Sequence, residues 1–128
     1  MKDRKDTGKR GEDAACLFLE SKGHRIVARN WRASHKEIDI VSVYADEIHI
    51  VEVKTRTAPA QVRPEHNVDL RKQRLLASAA KAFLHSPSAR FAALPAGAEI
   101  FFDVVSVLFE GESAHVQYFP AAYIPLYV

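Results

Sequence analysis

Residues 37–56 read Glu-Ile-Asp-Ile-Val-Ser-Val-Tyr-Ala-Asp-Glu-Ile-His-Ile-Val-Glu-Val-Lys-Thr-Arg, and this stretch decides the fold. Two runs rich in β-branched and apolar residues flank a short polar break, which is the pattern of a β-hairpin. The charges that interrupt these runs are Glu37, Asp39, Glu52 and Lys54, all towards the end of the hairpin away from its turn. Side chains alternate across a strand, so Glu37 and Asp39 share one face, as do Glu52 and Lys54. A two-residue turn at Ala45-Asp46 pairs Tyr44 with Glu47. Continued outward, that register sets Asp39 opposite Glu52 and Glu37 opposite Lys54.

Directly opposed residues have Cβ atoms roughly 4.5–5.5 Å apart, close enough for two carboxylates to hold one cation between them. A one-residue slip would send the acids to opposite faces, so this reading depends on the register. The arrangement has two explanations. Lys54 and Glu37 neutralise the acids in an ordinary ion-pair cluster, or the carboxylates bind Mg²⁺ or Mn²⁺, with the lysine orienting water or stabilising an anionic phosphate. The recurrence of two acids and a lysine at matching depth in apolar surroundings favours the cation site.

Upstream, a helix is expected from Thr7 or Gly8 to Lys22, with Gly23 as its stop and Ala15, Phe18 and Leu19 as its buried stripe. Gly8 and Gly11 would weaken a helix interior, which suggests a close approach of backbone to something else. Spacing alone reads Glu12 as a carboxylate favoured by the positive start of that helix. His24–Asn30 reads as a strand, and 32–36 as a short connection into the hairpin. Downstream, the two prolines within 57–66 mark a loop long enough to serve as a flap. A second helix is expected over 68–85, with Asn67 as its cap and Leu76, Ala79, Ala80, Phe83 and Leu84 facing the core. A Pro/Ala-rich connector over 86–97 leads to a strand over 99–109, a turn at 110–113 and a partner strand over 114–119. Asp103, alone in an apolar strand, is expected to be satisfied locally and not catalytic.

The chain is long enough to bury a core as one domain spanning 1–128. The single Cys16 forms no internal disulfide, and the six histidines show no paired metal-ligand spacing. The polar N-terminal residues lack the apolar core of a signal peptide, and no segment is suited to spanning a membrane, so a cytoplasmic location is expected. A net charge of +2 conceals an asymmetry: residues 1–36 carry ten Lys/Arg against five Asp/Glu, and after Arg90 no Lys or Arg remains. One basic face for a polyanion is the expectation. Its candidate contacts are Arg10, Arg32, Arg56, Arg71, Lys72 and Arg74.

Several ordered blocks carry a family resemblance: Gly8-x-x-Gly11-Glu12-x-x-Ala15, Asn30-Trp31-Arg32, Glu37-Ile38-Asp39, Val51-Glu52-Val53-Lys54-Thr55-Arg56 and Val68-x-x-x-Lys72-Gln73. The chain resembles the YraN-like family of uncharacterised bacterial proteins, in the restriction-endonuclease-like superfamily and near the archaeal Holliday-junction resolvases. It departs from the family pattern at Lys36 and at Phe101-Phe102-Asp103. The resemblance implies an α/β fold with a mixed β-sheet flanked by helices. It further implies that Asp39 and Glu52 bind Mg²⁺, that Lys54 positions the attacking water and that Glu12 completes the metal site, with Glu37 in support. The expected activity is metal-dependent endonuclease cleavage of structured or branched DNA. A homodimer would supply the two sites that cutting two strands requires. The rival readings are a non-catalytic nucleic-acid-binding module of the same fold and an interaction protein using its apolar C-terminal tail.

Overall fold

The computed structural model describes residues 4–59 and 68–124. The Asn67 cap, most of the expected flap and the end of the apolar tail lie outside the described residues.

The hairpin forms at the expected turn. Strand β2 (Lys36–Tyr44) pairs antiparallel with β3 (Glu47–Thr57), from Tyr44–Glu47 through Ile40–Val51, and Ala45 takes a left-handed φ of 52° in the turn. Outside β2 lies β1 (Arg25–Ala33), also antiparallel. On the other side β3 runs parallel to β4 (Glu99–Glu110), which pairs antiparallel with β5 (Ser113–Tyr123). The five-stranded mixed sheet is therefore ordered β1-β2-β3-β4-β5. A parallel pair needs a crossover rather than a tight turn, and the connection from β3 to β4 carries α2 (Leu70–Leu84) and the short α3 (Pro87–Phe91).

Strand alternation sorts the core onto two faces. Val41, Val43, Ile48 and Ile50 pack with Leu76, Ala79, Ala80 and Phe83 of α2. Ile40, Val51, Val105 and Val107 pack with Ala15, Cys16 and Leu19 of α1 (Arg4–Ser21). Trp31 joins the α2 side, edge-on to Phe83 with ring centroids 5.4 Å apart. The result is a mixed sheet with one long helix on each face, the α/β architecture expected from the sequence.

Several boundaries differ from the sequence reading. Helix α1 begins at Arg4, so Glu12 lies two turns inside it, and first-turn electrostatics do not account for that residue. Strand β1 runs to Ala33, which shortens the expected connection to Ser34-His35, with Ser34 at φ 58°. Asp69 rather than Asn67 caps α2, its carboxylate accepting the Lys72 N–H at 2.9 Å. Within the supposed connector, Ser86 caps α3 ahead of Pro87, a residue tolerated in a first helical turn because its missing N–H would be unpaired there anyway. Strand β5 continues through Pro120 to Tyr123; an edge strand accepts proline because no further strand needs that N–H.

The glycines of α1 differ in role. A Cβ at Gly11 would collide with the Thr55 side chain of β3, whereas one at Gly8 would meet nothing within 4 Å. Gly11 is the close approach that seats α1 on the sheet. Gly23, at φ 96°, ends the helix as expected.

Candidate metal and nucleic-acid site

The β2–β3 ladder ends at Ile40–Val51, one pair short of Asp39 and Glu52. At that point the Asp39 side chain takes over from the backbone: its Oδ2 accepts the Val53 N–H at 2.9 Å. Asp39 and Glu52 line the same small cleft of about 90 Å³, together with Glu37, Lys72 and Leu76. The two acids thus border one cleft on the α2 side of the sheet, one step beyond the last paired residues.

Their environments differ from those of surface acids. Burial pushes the Asp39 pKa up to about 6; the Val53 N–H opposes that rise, while the charges of Glu52 and Glu12 add to it and that of Lys72 subtracts. Glu52 is 14% exposed. Its Oε1 lies 3.5 Å from Lys72 Nζ, and its Oε2 is buried with no hydrogen-bond partner among the described residues. A buried carboxylate oxygen left unpaired is costly unless something else satisfies it.

The other candidates fall around this pair. Lys54, half-buried, follows Glu52 on the same face of β3. Glu37 meets Arg32 at 3.4 Å, and the regular β2–β3 pairing stops before it reaches Glu37 and Lys54. Glu12 stands on the α1 side, where Asn30 Nδ2 donates to its Oε1 at 2.7 Å and Arg29 lies 3.9 Å away. Asn30 holds a left-handed φ of 50°. Glu12 and Glu37 both border a larger groove of about 540 Å³ with Asp6, Gly8, Lys9, Arg29, Asn30 and Arg32. Glu37 therefore lies on the boundary shared by the groove and the acid cleft. Among the described residues no three His, Cys, Asp or Glu side chains gather closely enough to hold a metal as a set.

The expected single basic face is divided. Arg10 of α1 lies over the Phe109 ring at 4.3 Å, Arg56 is half-buried on β3, and Lys72 turns into the acid cleft. Arg32 of β1 and Arg71 and Arg74 of α2 are exposed. Because α1 and α2 cover opposite faces, their cations flank the sheet rather than forming one surface.

A second polar cluster joins Asp103 to partners that no local sequence pattern links to it. Asp103, fully buried, accepts from His49 Nδ1 at 2.6 Å, from the Tyr118 hydroxyl and from the Ala121 N–H at 2.8 Å. It is satisfied locally, as expected. His49 also meets Glu47 at 2.9 Å; burial opposes its protonation, but Asp103 and Glu47 outweigh burial and raise its pKa. His24 bonds Ser42 at 2.9 Å beside it. Only the alternation of His49 with Val51, and of Asp103 with Val105, signalled that these polar groups face inwards.

The model of Uncharacterised protein family UPF0102 matches residues 11–107, a span that holds all four expected site residues. The chain belongs to this family. It is the YraN-like family that the sequence motifs resemble. Its relatives include a UPF0102 protein of Myxococcus xanthus, 36% identical over 121 residues covering 94% of this chain and 91% of the relative. Another, from Bacteroides thetaiotaomicron, is 34% identical over 125 residues and covers 98% of both chains. A third, from Porphyromonas gingivalis, is 36% identical over 114 residues, covering 89% of this chain and 79% of its own. No helix among the described residues is long and apolar enough to cross a membrane.

Proposed function

We propose that this UPF0102 member is a metal-dependent endonuclease that hydrolyses phosphodiester bonds in structured or branched DNA. The observation that carries the reading is the cleft shared by Asp39 and Glu52 just past the last pair of the β2–β3 ladder, with Glu52 Oε2 buried and, among the described residues, unbonded. A hard divalent cation takes oxygen ligands and keeps several waters, so it suits a small cleft that offers two carboxylates and one orphaned oxygen. Asp39 and Glu52 would hold Mg²⁺ or Mn²⁺. When bound, such a cation supplies positive charge against a phosphate and makes nearby water more acidic.

The chain's own groups supply the rest. Burial keeps the carboxylates out of bulk water, which strengthens their pull on a cation. Lys54, on the face of Glu52, orients the attacking water. Arg71 and Arg74, exposed on α2, hold the nucleic-acid backbone through its phosphates. Glu12, fixed by Asn30, adds negative charge from the far side of the sheet edge. The test is cleavage of a panel of four-way, flap, nicked and linear DNAs with Mg²⁺ or Mn²⁺, using Asp39→Asn and Lys54→Ala as controls. Metal-dependent cutting of branched substrates, lost in both variants, is the expected result.

One observation favours a second reading, a nucleic-acid-binding module without cleavage. Glu12 bonds to Asn30 and does not close with Asp39 and Glu52 into a three-ligand set. That reading expects DNA binding by the wild type with no cutting under either metal.

A further inference from the structure

Lys72, expected from the sequence to be a phosphate contact of a basic face, instead faces the acid pair. Its backbone is fixed in the first turn of α2, where its N–H bonds the Asp69 cap. From there the side chain reaches across to β3, with Nζ 3.5 Å from Glu52 Oε1 and the stem bordering the cleft that holds Asp39 and Glu37. The cleft, at about 90 Å³, has room for about three waters at the ~30 Å³ each takes in the liquid. A divalent cation that keeps its waters would fill that space. An ammonium at Glu52 and such a cation therefore compete for one volume and one carboxylate.

Lys72 is also free to leave. Its side chain is 50% exposed, and lysine carries its charge on a flexible four-carbon stem. An ammonium displaced from Glu52 stays tethered at the rim of the cleft, where a phosphate drawn to the bound cation would lie.

Resting on the proposed nuclease reading, we propose that Lys72 is an exchangeable counter-ion of this site. It neutralises the Asp39–Glu52 pair in the cation-free protein, yields that place to a divalent cation, and then offers its ammonium to a phosphate oxygen of the substrate. Two effects of opposite sign follow from removing it. A structural role for Lys72 would weaken cation and DNA binding together.

The experiment compares full-length wild type, Lys72→Met and Lys81→Met, the last removing a charge from the far end of α2. Mn²⁺ binding is read by electron paramagnetic resonance at low ionic strength. Binding of a labelled four-way junction is read by fluorescence anisotropy with Ca²⁺ in place of Mg²⁺. Lys72→Met is expected to bind Mn²⁺ about two- to fivefold more tightly, the scale of one part-exposed ion pair. It should bind the junction about threefold or more weakly, the scale of one lost phosphate contact. Lys81→Met should stay within about twofold of wild type in both. If wild type binds Mn²⁺ and Lys72→Met binds it equally or less tightly, the exchange is overturned while the cation site stands. Unchanged junction affinity in Lys72→Met overturns the phosphate role. If no form binds Mn²⁺, the cation reading of the cleft fails and the exchange falls with it.

Discussion

Asp39→Asn should stabilise the metal-free protein at neutral and alkaline pH. Burial, with lesser help from Glu52 and Glu12, lifts the Asp39 pKa from an ordinary 3.8 to about 6. In the folded state the carboxyl therefore keeps its proton to a higher pH than in the unfolded chain. The associated stability is complete below about pH 4 and is lost as pH rises through about 6. At about 1.4 kcal/mol per pH unit, that gap makes the charged carboxylate a burden of about 3 kcal/mol above pH 7. Asparagine keeps the shape and still accepts the Val53 N–H, but the bond loses its charge assistance, worth about 1 kcal/mol. The net gain is about 1–2 kcal/mol at pH 8, a melting temperature higher by roughly 3–10 °C for a domain of this size. The assay is thermal or urea denaturation of both proteins in EDTA from pH 4 to pH 8. The two curves should converge near pH 4 and separate above pH 6, with the variant more stable. A variant clearly less stable than wild type at pH 8 would refute the reasoning, because it would mean Asp39 is held by a structural ion pair whose loss leaves a cation uncompensated.

Other outcomes follow from particular contacts. Gly11→Ala should destabilise the fold by about 1–3 kcal/mol, because its methyl collides with Thr55, while Gly8→Ala should be neutral or stabilise by up to about 1 kcal/mol; urea titrations measure both. His49, whose pKa is raised, contributes stability that is full below its unfolded pKa of about 6.5 and is lost as pH rises through its folded pKa, so His49→Gln should flatten the stability profile above pH 6.5. Junction affinity should fall linearly with salt on logarithmic axes, and Arg71→Glu should weaken all DNA sequences alike, as gel-shift titrations over a salt series would show.

Much of this architecture was legible in the chain because strands alternate. The run from Ile38 to Val53 gave the hairpin, its turn and its register, and with them the shared face of Asp39 and Glu52. The two helices were legible from the 3.6-residue spacing of Ala15 and Leu19 and of Leu76, Ala80 and Phe83. What escaped depends on contacts between distant residues. Which face α1 covers is set by its packing on Val51, Val105 and Val107, so the partnership of Glu12 with Asn30 has no local signal. The left-handed Asn30 and the turn of Lys72 into the cleft are likewise products of tertiary packing. Asp69 and Asn67 are both good caps by type, and local sequence does not choose between them. The Asp103–His49–Tyr118 cluster joins three strands whose order only the folded sheet reveals.

The measurement that bears most directly on the central claim is cleavage of a labelled four-way junction by purified wild type and Asp39→Asn, each with Mg²⁺, Mn²⁺ or EDTA. The expected result is cutting by wild type with either metal, none in EDTA, and a loss of about a hundredfold or more in the variant, the scale of removing one group that stabilises transition-state charge. Equal cutting by both proteins, or cutting that persists in EDTA, would contradict it.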